Sequence, residues 1–358
     1  MIRSLPTILA IAVLAGCAST GPFGRVPVEP VVFPPPPDSA RVQFLLTVTN
    51  DMDVQGGGKR GLLSNLMPRE ISRTTINKPY GVDWHDGKFY VCDSMLPGVD
   101  IIDVRAQEFR AWRPDGRGAL EKPINCAVDH ADGRLYVTDT GRRQVVVFDS
   151  AGSYVHSFGD HEGTPVGVHA DAEGIWVSDV QSGQIHVYDK ASYALVRSFP
   201  DQEATDQPRL KQPQNLTVQD SLVFVSDFGN FDVKVYRRDG KYLRTIGGFG
   251  RQLGQFVRPK GIAADREGRV YVADAGFQNV QVFSPEGELL MFFGGTYSGV
   301  GTMWLPAKVT IRYTDLELFR DYVEPGFELE YLILVTNQYG PDRLNVYGFV
   351  RPAGAGAG

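Results

Sequence analysis

Between residues 41 and 350 the apolar positions either alternate with polar ones or run for four to six residues. These runs are rich in Val, Ile, Tyr and Phe and are separated by Asp-Gly or Glu-Gly turns. That pattern predicts short β-strands joined by tight turns rather than amphipathic helices. The stretch RPKGIAADREGRVYVADAGFQNVQVF, from Arg258 to Phe283, reads as three such strands. One unit of this kind cannot bury its faces alone, and the chain repeats it six times.

The repeats are marked by leading prolines at Pro79, Pro123, Pro165, Pro213, Pro259 and Pro306, spaced 44, 42, 48, 46 and 47 residues apart. This is the period of a four-stranded propeller blade. A fourth strand follows most units, as in GSYVHSFG (Gly152 to Gly159), GKYLRTIG (Gly240 to Gly247) and GELLMFFG (Gly287 to Gly294). The sixth unit has three strands and then the tail RPAGAGAG. The strand-like run RVQFLLTVT, residues 41–49, is therefore expected to complete the last blade and remove the open edge. The predicted fold is all-β: a six-bladed β-propeller of four-stranded blades closed by an N-terminal strand.

The pattern Pro-x-Gly-Ile/Val-x-x-Asp, then Gly-x-Val/Leu-Tyr-Val-x-Asp, then Asn/Arg-x-Val-x-Val-Phe resembles the NHL repeat, and the resemblance covers most of residues 41–350. It implies a fold more firmly than a function. Similar propellers bind proteins, RNA or sugar polymers, serve as extracellular sensors, and occasionally act as metal-dependent lyases or hydrolases. The resemblance also implies a top face, built from the loops before the first strand and between the second and third strands of each blade.

Residues 1–16 have an Arg near the start, an apolar core too short to span a bilayer and small residues before Cys17, as in a signal peptide. Leu14-Ala15-Gly16-Cys17 resembles a bacterial lipobox, which implies lipidation at Cys17; a plain secretory signal is the alternative. Ala18 after the cysteine resembles the outer-membrane sorting pattern of Gram-negative cells, so a lipid-anchored protein of the cell envelope is expected. Residues 17–40, ending in FPPPPDSA, read as an extended proline-rich tether with nothing in the core. Residues 351–358 read as a disordered tail.

Charge changes this picture little. The formal net charge of −6 argues against bulk nucleic-acid binding. Cys92 and Cys126 occupy small or apolar positions of the repeat and fit as buried hydrophobes, with a disulfide between them left open. Asp93, Asp139, Asp179, Asp227 and Asp274, with Asn337 in the sixth unit, recur too regularly for a metal crown and read as architectural acceptors for turn backbone. His85, His130 and His169 fall on the rim opposite the top face, while His156 and His186 lie in later strands. No ligand spacing, nucleophile elbow or phosphate-cradling loop is present, so no cofactor, metal or catalytic residue is predicted.

Residues that break the repeat are the better candidates for binding. Lys78, Lys122, Arg258, Lys260 and Lys308 flank the leading prolines, and Arg142, Arg143 and Arg343 lie in second-to-third-strand loops. They read as a basic top face or as scattered solvated charges. Gly81, Gly167 and Gly261 alternate with Asn125, Asn215 and Lys308, which would point polar groups at the axis. Tyr80, Phe228, Phe231, Phe277 and Tyr339 lie on the same face, either for contact or packed between blades. The connection of residues 50–76 contains a glycine hinge and a short amphipathic run with Leu62, Leu63, Leu66 and Met67 that could cap the channel. The insertion from Tyr313 in the last unit is expected to pack on the opposite face. The leading reading is a scaffold whose top face binds a protein, peptide or acidic polymer; the alternative is a metal-dependent lyase or hydrolase.

Overall fold

The computed structural model describes residues 23–54, 74–205, 207–296, 299 and 301–354. Six antiparallel sheets surround one axis, and their inner strands are Pro79–His85, Pro123–Val128, Pro165–Ala170, Pro213–Gln219, Pro259–Ala264 and Pro306–Arg312. Each inner strand begins at a leading proline, where the missing N–H costs no ladder bond. The chain then runs outward through the blade by consecutive hairpins. Second-to-third-strand loops and blade-to-blade connections therefore share the end from which the inner strands start.

The core is divided among the gaps between blades. The gap between blades 1 and 2 holds Trp112, Leu120, Phe148, Cys92 and Cys126, and these two thiols are free and buried. That between blades 6 and 1 holds Trp84, Phe89, Leu332 and Leu344. Hydroxyls at the small-residue position of the second strand also lace neighbours together. Thr138 Oγ1 donates to Val166 O at 2.8 Å, Ser226 Oγ to Lys260 O at 2.6 Å, and Thr336 Oγ1 to Tyr80 O at 2.6 Å, the last across the closure of the ring.

The closing strand is Val42–Val48, all buried, paired with Leu344–Pro352 in the register Val42↔Phe349 and Val48↔Leu344. Two expectations need correction. The segment before residue 41 is not wholly a free tether. Val31–Phe33 adds a fifth strand to the last blade by pairing with Val42–Phe44, because that edge offers unpaired backbone and Phe33 reaches Phe293 at 6.2 Å. Phe23 is buried beside Leu46 and Val54, and Arg25 pairs with Asp53 and Asp342 at 3.2 and 3.1 Å. Likewise, residues 351 and 352 are strand rather than tail, with Arg351 held at 2.9 Å by Glu328.

The insertion after Tyr313 packs at the opposite rim, as expected. Asp315 accepts from Trp84 Nε1 at 3.0 Å and from Arg105 Nη2 at 2.6 Å, and Phe319 is buried 5.4 Å from the Trp84 ring. The amphipathic run at Leu62, Leu63, Leu66 and Met67 lies outside the described residues, as do Cys17 and the signal segment.

Candidate functional site

The repeated aspartates build the top face without forming a binding crown. Asp139 accepts from the backbone N–H groups of Glu121, Lys122, Gly141 and Arg142, and Asp274 from those of Val257, Arg258, Gly276 and Phe277. Each carboxylate thus ties the loop entering its blade to the loop crossing it. Asn337 does the same with its amide, accepting from Trp304 N and donating to Asp342 O.

Just below these loops the inner strands are irregular. A register shift follows every leading proline, as at Pro213/Asn215 and Pro306/Lys308, and such bulges re-aim side chains. Two layers of side chains consequently close the axis. In the upper layer Tyr80 donates to Gln214 Oε1 at 2.7 Å, and Lys260 Nζ lies 5.8 Å from the Tyr80 ring and donates to Gln338 Oε1 at 2.7 Å. Burial, with Arg258 and Lys78 nearby, pulls the Lys260 pKa down to about 8. In the lower layer Asn125 Nδ2 and Lys308 Nζ both donate to Asn215 Oδ1, at 2.5 and 3.1 Å, while Asn215 Nδ2 donates to Lys260 O at 3.0 Å.

Gly81, Gly167 and Gly261 make this lower layer possible. A Cβ at Gly81 would fall 2.5 Å from the Asn125 Cα, one at Gly167 2.9 Å from the Asn215 Cα, and one at Gly261 2.8 Å from the Lys308 Cα. Blades 1, 3 and 5 yield the space that blades 2, 4 and 6 fill. Asn125, Asn215, Lys308 and Tyr80 are therefore buried components of a plug, not exposed contact residues on the rim.

The basic residues do not gather into one patch. Arg142, on blade 2, donates to the carbonyls of Arg117 and Ala119 at 2.9 and 2.7 Å, and Arg143 leans toward His161 O at 3.4 Å. Lys260 and Lys308 belong to blades 5 and 6, as does Arg343, which donates to Gln338 O at 2.9 Å. The aromatic residues form two local groups. Phe231 meets Phe249 edge-on at 4.9 Å, Tyr339 N donates to Trp304 O, and Lys78 Nζ stands 5.2 Å from the Tyr339 ring. Phe249, Tyr339 and Trp304 are 68%, 50% and 41% exposed, with Leu253 also exposed; Phe231 and Phe277 are half-buried. Sequence reasoning missed Phe249, Leu253 and Trp304. The signal was the blade-to-blade connections GGFGRQLGQF and GGTYSGVGTMW, where large apolar residues stand outside any strand pattern.

Below the plug, the axis is a cavity of about 390 Å³, lined by Asp83, His169, Lys308 and Arg312 among others. His130, Arg266 and Thr314 at its edge are exposed, so it opens on the rim opposite the top face. There His85 and His130 face each other with Nδ1 atoms 3.2 Å apart. Among the described residues, no three His, Cys, Asp or Glu side chains gather as a metal site.

The fold and its plugged axis define a six-bladed β-propeller. Residues 256–283 match the NHL repeat family. The chain is similar to human NHL repeat-containing protein 3, at 27% identity over 49% of this chain and 56% of that protein. It is also similar to the fruit-fly protein brain tumor, at 27% identity over 34% of this chain and 11% of that protein. The chain spans about half the length of the NHL repeat-containing proteins it matches. Among solved structures it is similar to a Bacteroides thetaiotaomicron protein of unknown function, with a TM-score of 0.58, 16% identity and coverage of 78% of this chain and 70% of that one. A streptogramin B lyase structure gives a TM-score of 0.53, 12% identity and coverage of 76% and 93%. At these identities the likeness is one of fold.

Proposed function

We propose that this protein is a binding scaffold of the bacterial cell envelope whose top face, over blades 4 to 6, holds a protein or peptide with acidic character. The observation that carries this reading is the exposure of the rings Phe249, Trp304 and Tyr339 on top-face loops, with Tyr339 beside the Lys78 ammonium. Exposed aromatic residues next to cations supply large, rigid contact area and charge selectivity at once, and interface energy concentrates in such residues. Arg258, exposed on the same blades, extends the positive field. Arg142 and Arg143 contribute less, because their guanidinium groups are committed to loop carbonyls.

The test uses a partner recovered with full-length protein and confirmed in a purified binding assay. Replacing Phe249 and Trp304 together with Ala should weaken binding by about tenfold or more, with the melting temperature unchanged. Binding should also weaken as salt shortens the screening length toward about 8 Å. Equal binding by wild type and the double variant would refute the assignment of this face.

The lipid anchor at Cys17 is part of the same proposal and rests on the residues before it. Cys17→Ser should release the protein from the membrane fraction. Mass spectrometry of the wild type showing an unmodified Cys17 would overturn it.

A further inference from the structure

We propose that the cavity beneath the plug is a second binding site, for a small organic carboxylate held by Lys308 at its inner end. Among the described residues the cavity is roofed by the Asn125, Asn215 and Lys308 layer, whose two Asn side chains are fully buried, and it opens among His130, Arg266 and Thr314. A volume of about 390 Å³ suits a small molecule.

Lys308 is the informative residue. It is 6% exposed, makes one side-chain hydrogen bond, to Asn215 Oδ1, and enters no ion pair among the described residues. An ammonium carries three donors, so two remain for an occupant, and a buried charge without a counterion is costly. Burial lowers the Lys308 pKa to about 8, which an anion seated against it would reverse.

The rest of the lining says which anion fits. Its charged groups are Lys308, Arg266 and Arg312 against the single carboxylate of Asp83, so the balance is positive even with both histidines neutral. Asp83 is already satisfied, accepting from Arg312, Trp84 N and Val128 N. Arg266 stands at the mouth with its guanidinium 4.0 Å from the Tyr313 ring. Between mouth and roof the wall carries Val82, Val168, Leu216, Ile262 and Val309. A cation at the closed end and an aliphatic belt below it match a carboxylate with a short hydrocarbon body, and match a free inorganic anion poorly.

Calorimetric titration of the full-length protein with hexanoate tests this, with hexylamine as a probe of equal length and opposite charge. Hexanoate should bind and raise the melting temperature at millimolar concentration, and hexylamine should do neither. Lys308→Met should weaken hexanoate binding by about tenfold or more. Arg266→Ala, at an exposed position that leaves folding intact, should weaken it several-fold and serves if the Lys308 variant does not fold. Failure of hexanoate to bind the wild type, equal binding of hexylamine, or undiminished binding by Lys308→Met and Arg266→Ala would each overturn the proposal.

Discussion

Removal of residues 41–49 should leave a chain that does not unfold in one cooperative transition. Val42, Phe44, Leu45, Leu46 and Val48 are all buried. At about 1.5–3 kcal/mol for each large apolar side chain, their loss rivals the whole stability of about 5–15 kcal/mol of a typical domain. The deletion also strips Leu344–Pro352 of its outer partner, leaving only its pairing with Phe327–Asn337, and exposes a long apolar edge. Removing only residues 27–38 should cost far less, because the added strand Val31–Phe33 is half-buried. Differential scanning calorimetry of both truncations decides the matter. If the chain lacking residues 41–49 melts in one transition at the wild-type temperature, that strand does not close the ring.

The second large effect centres on Asp83, which joins three blades. Its carboxylate is buried in blade 1, accepts from Val128 N of blade 2 at 2.8 Å, and takes Arg312 Nε of blade 6 at 2.7 Å. Asp83→Ala would strand the Arg312 guanidinium and the Val128 and Trp84 N–H groups, at a cost of about 3–5 kcal/mol, measurable by denaturant titration. The same geometry fixes a pH dependence. Burial acts to raise the Asp83 pKa, but Arg312, His130 and the two N–H groups outweigh it and hold it below the usual aspartate value. A lowered folded-state pKa means the stabilisation is fully present above the unfolded value of about 4 and is lost as pH falls through the folded one. The variant should therefore show a shallower loss of stability between neutral and acid pH. An identical acid profile in both proteins would exclude this role.

The frame of the molecule was readable because it repeats. Six prolines spaced by one blade located the inner strands, the recurring Asp at the end of the second strand announced its turn-binding role, and the three-stranded last unit pointed to the run at Arg41 as its missing member. What the chain hid were features specified once. Phe23 and Val31–Phe33 lie in a proline-rich stretch whose composition argues for a free tether, and only the unpaired edge of Val42–Val48 gives them somewhere to go. Phe249 and Trp304 are single aromatic residues in irregular connections, where no periodicity separates contact from packing. Asn125, Asn215 and Lys308 were visible as polar breaks in a glycine position, yet whether they faced solvent or one another depended on a bulge that no residue advertises.

That alternation around the axis is a matter of parity. Small and large inner positions can take turns around a ring only if the number of blades is even; with five or seven, one seam would set two large residues or two glycines side by side. Excising blade 3 would bring Asn125 where Gly167 stands, with its Cβ some 2.9 Å from the Asn215 Cα, and excising blade 2 would put two glycines together and open a hole. The unit in which this ring can grow or shrink without frustration is therefore not the blade that the sequence repeats but a pair of them.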